Sequence, residues 1–278
     1  MGTPFPDRPS RVVRAPDGAR IAVFSAGAGA PVLLVHGVTA DHRTWRVVAP
    51  ALARRYAVHA IDRRGRGHST DGDPGAYAIS RELEDLAAVS DTIATDTGQE
   101  VSIIGHSLGG RIALAASLRT PSIARVVAYE SAPTSAVRAP GARDPLLGAL
   151  RADLAAGEHE RLLARFMTEG VGMPAADLAA FRADPVWPLR VAAAPTIVRE
   201  LEASEAAPEI DLETLGRVTV PVLQLVGSAS PAPFRDAAVA LHARLARGRV
   251  EAIEGARHGA HHSHPSEFLR AIDAFVGE

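Results

Sequence analysis

The feature that most restricts the fold of this chain is a series of short, mainly apolar segments separated by stretches with helical periodicity. Strands that are apolar on both faces are typical of parallel sheets buried between helical layers. We therefore predict an α/β fold with a mostly parallel sheet covered by helices on both faces. Six segments of this kind are residues 31–35, 57–61, 101–104, 125–129, 221–226 and 249–253.

Local signals define the remaining elements of the predicted core. Residues 11–15 and 21–25 flank Asp17-Gly18, a strong hairpin-turn signal, and are predicted to form two antiparallel strands. Helices are predicted over 80–95, with Ser80 as the N-cap, and over 108–117.

A long strand-free segment interrupts this alternation. From Glu130 to Pro221 the chain is rich in Ala, Leu, Glu and Arg, and helices are predicted over 146–154, 159–167 and 176–183. We therefore predict that residues 1–133 and 216–278 form the core, and that residues 134–215 form an inserted helical cap.

Composition excludes several classes of chemistry. The 278 residues include no cysteine, which rules out disulfides, thiolate metal sites and cysteine nucleophiles. All 30 basic residues are arginine, so lysine Schiff-base chemistry and a phosphate-binding P-loop lysine are excluded too. A net charge of −2 gives no basic footprint for nucleic acid. Residues 1–16 lack the apolar core of a signal peptide and no segment is long enough to span a bilayer, so we expect a cytoplasmic protein without a membrane partner.

The motif Gly105-His106-Ser107-Leu108-Gly109 lies between a predicted strand and a predicted helix. Such a turn strains the backbone at its central residue and needs small residues two positions before and after it. It lifts the serine hydroxyl above the sheet and directs the helix N-terminus at a developing oxyanion. Ser107 is therefore the predicted nucleophile, and a tight turn without chemistry is the alternative.

A second loop supplies candidate hydrogen-bond donors for the same reaction. The predicted strand 31–35 ends at His36-Gly37-Val38. We predict that the backbone N–H groups of Val38 and Leu108 form an oxyanion hole. His36 is predicted to brace the loop rather than to carry protons.

The base must come from the 11 histidines. His258 follows the last predicted strand, at the carboxyl edge of the sheet where sites in α/β folds open to solvent, and is the predicted base. His261, His262 and His264 follow closely, but no carboxylate or regular ligand spacing accompanies them, so no metal is expected. His106 is predicted to be a packing residue.

These pieces together resemble an α/β-hydrolase. The matching parts are the His36-Gly37 loop, residues 62–69, the Ser107 turn, and the His258 loop with Pro265 and Phe268 behind it; the resemblance covers residues 12–276. It implies an eight-stranded, mostly parallel sheet, a helical cap after the sixth strand and a Ser-acid-His triad in that chain order.

The sequence departs from the family pattern at the triad acid. In this family the acid usually lies three residues after a glycine that closes the seventh strand, but here Gly227 leads to Ser230. Other members carry the acid after the sixth strand, where this chain has Glu130. Glu130 is our candidate, while Asp236 and a missing acid are the alternatives.

Two further groups of residues allow more than one interpretation. The arginines of segment 62–69 suggest anion binding, but pairing with nearby carboxylates is favoured. Phe166 and Trp187 in the cap, together with Trp45 near the oxyanion loop, are candidates for the substrate pocket, although helical spacing also fits an ordinary core.

The sequence therefore predicts a serine hydrolase that cleaves a small or medium carboxylic ester or lactone and needs no cofactor. A serine rather than an aspartate at position 107 argues against epoxide hydrolase or dehalogenase chemistry. The alternatives are a carbon–carbon bond hydrolase of the same fold and a non-catalytic ligand-binding or receptor protein. No sequence signal indicates an oligomeric state.

Overall fold

An eight-stranded sheet forms the centre of the protein in this computed structural model, which describes residues 5–277. Residues 1–4, the start of the segment assessed above for a targeting signal, lie outside the described residues. The sheet order is β1-β2-β4-β3-β5-β6-β7-β8; β1 and β2 pair antiparallel with their neighbours, and the other pairs are parallel. The strands are β1 Arg11–Arg14, β2 Arg20–Ala26, β3 Pro31–Val35, β4 Ala57–Ile61, β5 Val101–His106, β6 Ile123–Tyr129, β7 Val222–Gly227 and β8 Gly248–Ile253.

The predicted strands are confirmed, with differences of up to two residues at their ends. β3 and β4 have the predicted bounds. One prediction of burial was wrong: β8 is largely exposed. It is the last strand of the sheet, and it carries the charged residues Arg249 and Glu251, both of which are exposed.

The helices agree with the predictions less closely at their ends. The second helix begins at Ile79 with Ala78 as its N-cap, so Ser80 is not the cap; Ile79 itself is buried and extends the helix by one residue. The predicted helix 159–167 ends at Arg165 and continues as a π-helical turn, Phe166–Gly170. The α-helices are α1 Ala49–Leu52, α2 Ile79–Thr97, α3 Leu108–Ala116, α4 Asp144–Ala155, α5 His159–Arg165, α6 Ala175–Arg182, α7 Trp187–Ala193, α8 Ile197–Ala206, α9 Leu212–Leu215, α10 Ala232–His242, α11 Ala260–Ser263 and α12 Pro265–Val276.

Two apolar clusters cover the two faces of the sheet. Leu33 belongs to the cluster that contains α2, α3 and α10, whereas Leu34 belongs to the cluster that contains α1 and α12. Successive side chains of a strand point to opposite faces, so both faces are buried against helices. This confirms the layered α/β arrangement and explains why the strands lack polar alternation.

The regular elements of segment 134–215 are all helical. Side chains from α4, α5, α7 and α8 form a third apolar cluster, which includes Leu150, Leu163 and Trp187. Ile210 and Leu215, by contrast, pack in the apolar cluster that contains α2, α3 and α10. The division of the chain at 134 and 215 stays a prediction. No helix within residues 5–277 is both long and apolar enough to cross a membrane.

Buried ion pairs connect this helical segment to the loop that follows β4. Arg63 and Arg66 both contact Glu200 of α8, and Arg64 binds Asp85 of α2 through two hydrogen bonds of 2.6 and 2.7 Å. All five side chains are buried. The predicted pairing of these arginines with carboxylates is therefore confirmed.

Candidate active site

Ser107 lies at the turn from β5 into α3 with φ 54° and ψ −124°, a conformation that is strained for a residue with a side chain. The glycines on either side permit the turn. A Cβ on Gly105 would lie 2.2 Å from Gly110 Cα, and a Cβ on Gly109 would lie 2.3 Å from the backbone oxygen of His36. The predicted strain and the need for small residues are confirmed.

The loop after β3 lies against this turn. A Cβ on Gly37 would be 3.0 Å from Ser107 Cβ, and Val38 lines the same cavity as Ser107. Leu108 is the first residue of α3, and N–H groups in the first turn of a helix have no partner within the helix. Both predicted oxyanion donors therefore belong to segments next to Ser107, and their role stays a prediction.

His36 braces the same loop, as predicted. Its Nδ1 lies 2.9 Å from the Gly37 oxygen, and its Nε2 accepts from the backbone N–H of Arg63 at 2.9 Å. Burial holds the pKa of His36 well below its ordinary value, so the ring stays neutral, donates through Nδ1 and accepts through Nε2.

His258 and Glu130 form a hydrogen-bonded pair. His258 Nδ1 lies 2.6 Å from Glu130 Oε2, and Glu130 Oε1 accepts from Gly227 N at 2.9 Å and from Ser230 Oγ at 2.5 Å. Burial alone would raise the pKa of Glu130, but His258 and the other two donors hold it below its ordinary value. Asp236, the alternative acid, is exposed on α10.

Two side chains that the sequence did not single out as positioning groups hold the His258 loop. The hydroxyl of Tyr129 donates to the Arg257 oxygen and accepts from Ala260 N at 3.2 Å. His106 Nε2 donates to the His258 oxygen at 2.8 Å, which is more than the packing role predicted for it. Tyr129 directly precedes Glu130, and His106 directly precedes Ser107. This adjacency in the sequence is the signal that could have identified both as positioning residues.

Ser107 and His258 both line a cavity of about 440 Å³. Apolar residues of the helical segment form much of its wall: Phe166, Met167, Val171, Met173 and Phe181. Trp45 and Trp187 are not among the described residues that line it, so their predicted place in the pocket was wrong. Trp45 is buried in the core beside α1. Trp187 packs edge to face against Phe181 in the third cluster, with the two ring centroids 5.2 Å apart.

The histidines after His258 have separate surroundings. His261 and His262 line the cavity, and His264 contacts Ser263 Oγ at 2.8 Å through Nδ1. Within the described part of the chain, the group whose ligand atoms lie close enough to hold a metal ion is elsewhere: His42, Asp62 and His68. Asp62 already accepts from the backbone and Nδ1 of His42 and from the backbone of His68, each at 2.8 Å.

Known proteins share this arrangement of elements. The profile of the alpha/beta hydrolase family matches residues 32–271. A pimeloyl-[acyl-carrier protein] methyl ester esterase of Aeromonas hydrophila is 27% identical over 266 residues, which is 92% of this chain and 99% of that protein. An alpha/beta hydrolase structure from Sphaerobacter thermophilus is 30% identical with a TM-score of 0.74, covering 93% of this chain and all (100%) of its own. The enol-lactonase of Burkholderia xenovorans, at 20% identity, TM-score 0.74 and coverage of 96% of this chain and 100% of that one, shares the fold. This chain belongs to the alpha/beta hydrolase family.

Proposed function

We propose that the protein is a serine hydrolase that cleaves a small or medium carboxylic ester or lactone through an acyl-enzyme. The observation that carries this proposal is the 2.6 Å hydrogen bond from His258 Nδ1 to buried Glu130, beside a cavity that Ser107 also lines. A carboxylate at Nδ1 fixes the tautomer in which Nε2 is free to accept a proton, which is the arrangement a hydroxyl nucleophile needs. The curated relative described above, named as a methyl ester esterase, supports the ester class.

The proposed reaction uses only groups of this chain, the substrate and water. Ser107 Oγ attacks the carbonyl carbon while His258 Nε2 takes its proton, and Glu130 stabilises the resulting imidazolium. The N–H groups of Val38 and Leu108 stabilise the oxyanion of the tetrahedral intermediate. Collapse of the intermediate breaks the ester C–O bond, and the leaving alkoxide takes the proton from His258. Water then attacks the acyl-enzyme by the same steps, releasing the acid and restoring Ser107.

The ligand-binding alternative rested on the missing carboxylate after β7. Ser230 occupies that position, and its hydroxyl donates to Glu130, which reaches the same place from the end of β6. The carboxylate that contacts His258 from the neighbouring strand therefore supports the catalytic proposal over the ligand-binding alternative.

Covalent labelling tests the proposal without the natural substrate. A fluorophosphonate probe should label the protein at Ser107, and Ser107→Ala should abolish both labelling and hydrolysis of p-nitrophenyl butyrate, with losses of up to ~10⁶-fold. Ser263→Ala is the matched control, because Ser263 also lines the cavity and its hydroxyl contacts an imidazole, that of His264. Full labelling of Ser107→Ala, or loss of labelling in Ser263→Ala, would refute the assignment.

A further inference from the structure

Arg190 is a buried arginine without a carboxylate partner. Four arginines are buried in the described part of the chain, and Arg63, Arg64 and Arg66 each pair with acids. Arg190, on α7, is 8% exposed and lines the same cavity as Ser107, yet no acid among residues 5–277 lies within ion-pair distance of it.

The hydrogen bonds of Arg190 go to neutral groups. Nη2 donates to Thr44 Oγ1 at 3.0 Å and Nη1 to Thr39 Oγ1 at 3.4 Å, whereas Nε is buried with no partner in the described residues. Burial lowers the pKa of Arg190 to about 10, so the guanidinium still carries its charge at neutral pH. The guanidinium also lies over the ring of Phe181, 5.9 Å from its centroid, and Asp41 and Asp184 favour the charged form from beyond ion-pair distance. A buried charge without a carboxylate in ion-pair contact is unfavourable, and an anion bound in the cavity would reduce that penalty.

The groups next to Arg190 are also suited to an anion. Thr44 Oγ1 lies 3.2 Å from His261 Nε2, and because Thr44 accepts from Arg190 its own hydrogen is free to point to His261. Burial keeps the pKa of His261 well below its ordinary value, so the ring is neutral, carries its hydrogen on Nδ1, and has no partner there. We call Arg190 and His261, which Thr44 bridges, the donor wall.

Other charges line the cavity but leave the donor wall free. Asp184 pairs with Arg46 at 2.5 Å. Asp177 and Arg257 are exposed. The buried part of the cavity therefore combines one cation that has no carboxylate in ion-pair contact with the apolar side chains of the helical segment.

We propose that Arg190 determines specificity by binding a second, ionised carboxylate of the substrate, so that the preferred substrates are esters or lactones of acids that carry a carboxylate at their other end. This inference rests on the proposed hydrolase function. The apolar wall contacts the methylene chain between the two ends, and the planar guanidinium binds a carboxylate better than a neutral group because the hydrogen bonds are charge-assisted.

Matched esters test this proposal. Monomethyl glutarate, adipate and suberate are compared with methyl esters of the same length that end in a carboxamide, and kcat/KM is measured for each by titration of the released acid. Hydrogen bonds to a charged group predict a 10- to 100-fold preference for the carboxylate-ended esters. Arg190→Met should reduce this ratio to near one, and Arg190→Lys should retain part of it. Arg151→Gln, which removes the same charge from an exposed arginine that pairs with Glu202 away from the cavity, should keep the ratio.

Equal preference for the two ester series in the wild-type protein would overturn the proposal, as would an unchanged ratio in a folded Arg190→Met variant. If Arg190→Met does not fold, inhibition of ester hydrolysis by the wild-type protein still tests the proposal. Adipate must inhibit at least tenfold more strongly than hexanoate, and equal inhibition refutes the site. Failure of the hydrolase proposal is distinguishable, because adipate binding to Ser107→Ala, measured by calorimetry, requires no catalysis.

Discussion

Replacing Glu130 with glutamine is the sharpest test of the proposed triad. Glu130 uses one carboxylate oxygen for His258 and the other for Gly227 and Ser230. Glutamine has the same shape but only one acceptor oxygen. If that oxygen faces Gly227, the NH₂ group faces His258 Nδ1; if it faces His258, the fixed N–H of Gly227 loses its acceptor inside the protein.

The first orientation is favoured, because His258 can move its proton and the backbone N–H of Gly227 cannot. The imidazole then carries its hydrogen on Nε2, the atom that must accept a proton from Ser107. The corresponding aspartate-to-asparagine change in a serine protease lowers kcat about 10⁴-fold for the same reason. We therefore expect Glu130→Gln to lower kcat for p-nitrophenyl butyrate by ~10³- to 10⁴-fold with little change in thermal stability.

Two controls separate this effect from general damage near the site. Ser230→Ala removes one hydrogen bond to Glu130 Oε1 but keeps Gly227 N and His258, so kcat should stay within about tenfold of the wild type while stability falls by ~1.5–3 kcal/mol. Asp236→Asn changes an exposed carboxylate on α10 and should leave kcat unchanged. Thermal denaturation of each variant is measured with the kinetics.

A Glu130→Gln variant that keeps kcat within tenfold of the wild type, while Ser107→Ala is inactive, would refute the role given to Glu130. A loss of activity in Asp236→Asn would transfer that role to Asp236. Ser230→Asp in the Glu130→Gln background adds a carboxylate where Ser230 Oγ already approaches residue 130, and partial recovery of kcat would show that His258 accepts an acid from either strand end.

Three further predictions concern stability and selectivity. Glu200→Gln should lower the free energy of unfolding, measured by urea denaturation, by ~3–5 kcal/mol because Arg63 and Arg66 are buried and lose a carboxylate partner. Glu202→Gln changes a partly exposed pair with Arg151 and should lower it by less than about 1 kcal/mol. Similar losses in the two variants would contradict this. Burial lowers the pKa of His262 from 6.5 to about 4, so as the pH drops this imidazole is protonated in the unfolded chain before it is protonated in the folded protein, and the free energy of unfolding should fall between pH 6.5 and 4. His262→Gln should remove about 3 kcal/mol of that fall. An unchanged pH dependence of the unfolding free energy would contradict this. Phe166→Ala should shift the preferred acyl chain of p-nitrophenyl esters to greater length, while Trp187→Ala should lower the melting temperature without that shift, and the reverse pattern would place Trp187 in the pocket.

The parts of the fold that the sequence predicted are those decided by local pattern. β3 has its predicted bounds because its residues are continuously apolar and all are buried, so pattern and packing agree. β4 also has its predicted bounds, although His59 interrupts its apolar residues. The start of α2 was missed by one residue because an apolar residue, Ile79, precedes the polar one that resembled a cap. β8, the last strand of the sheet, differs from the inner strands in carrying Arg249 and Glu251, both of which are exposed.

The parts of the site that the sequence did not predict depend on contacts between distant segments. Arg190 touches Thr39 and Thr44, which precede it by 151 and 146 residues, and nothing near Arg190 in the chain distinguishes it from the paired arginines. Trp45 and Trp187 failed as pocket residues for the same reason. An apolar side chain at helical spacing is equally compatible with a core and with a cavity wall, and the packing of other segments decides between them.

The contact between Glu130 and His258 was predictable because the sheet brings two alternative positions for a carboxylate to one place. β6 and β7 are parallel neighbours with Tyr129 opposite Leu225, so the residues that follow them meet at the same edge. Glu130 N donates to the Leu225 oxygen at 2.9 Å, and its carboxylate lies against Gly227 N and Ser230 Oγ, in the loop where the family usually carries the acid. A left-handed backbone at Glu130, φ 47°, directs the side chain across the gap between the two strands. The proposed chemistry requires a carboxylate at His258 Nδ1, and the residues after either β6 or β7 can supply it. A sequence search confined to the position after β7 would therefore have missed Glu130, which follows β6.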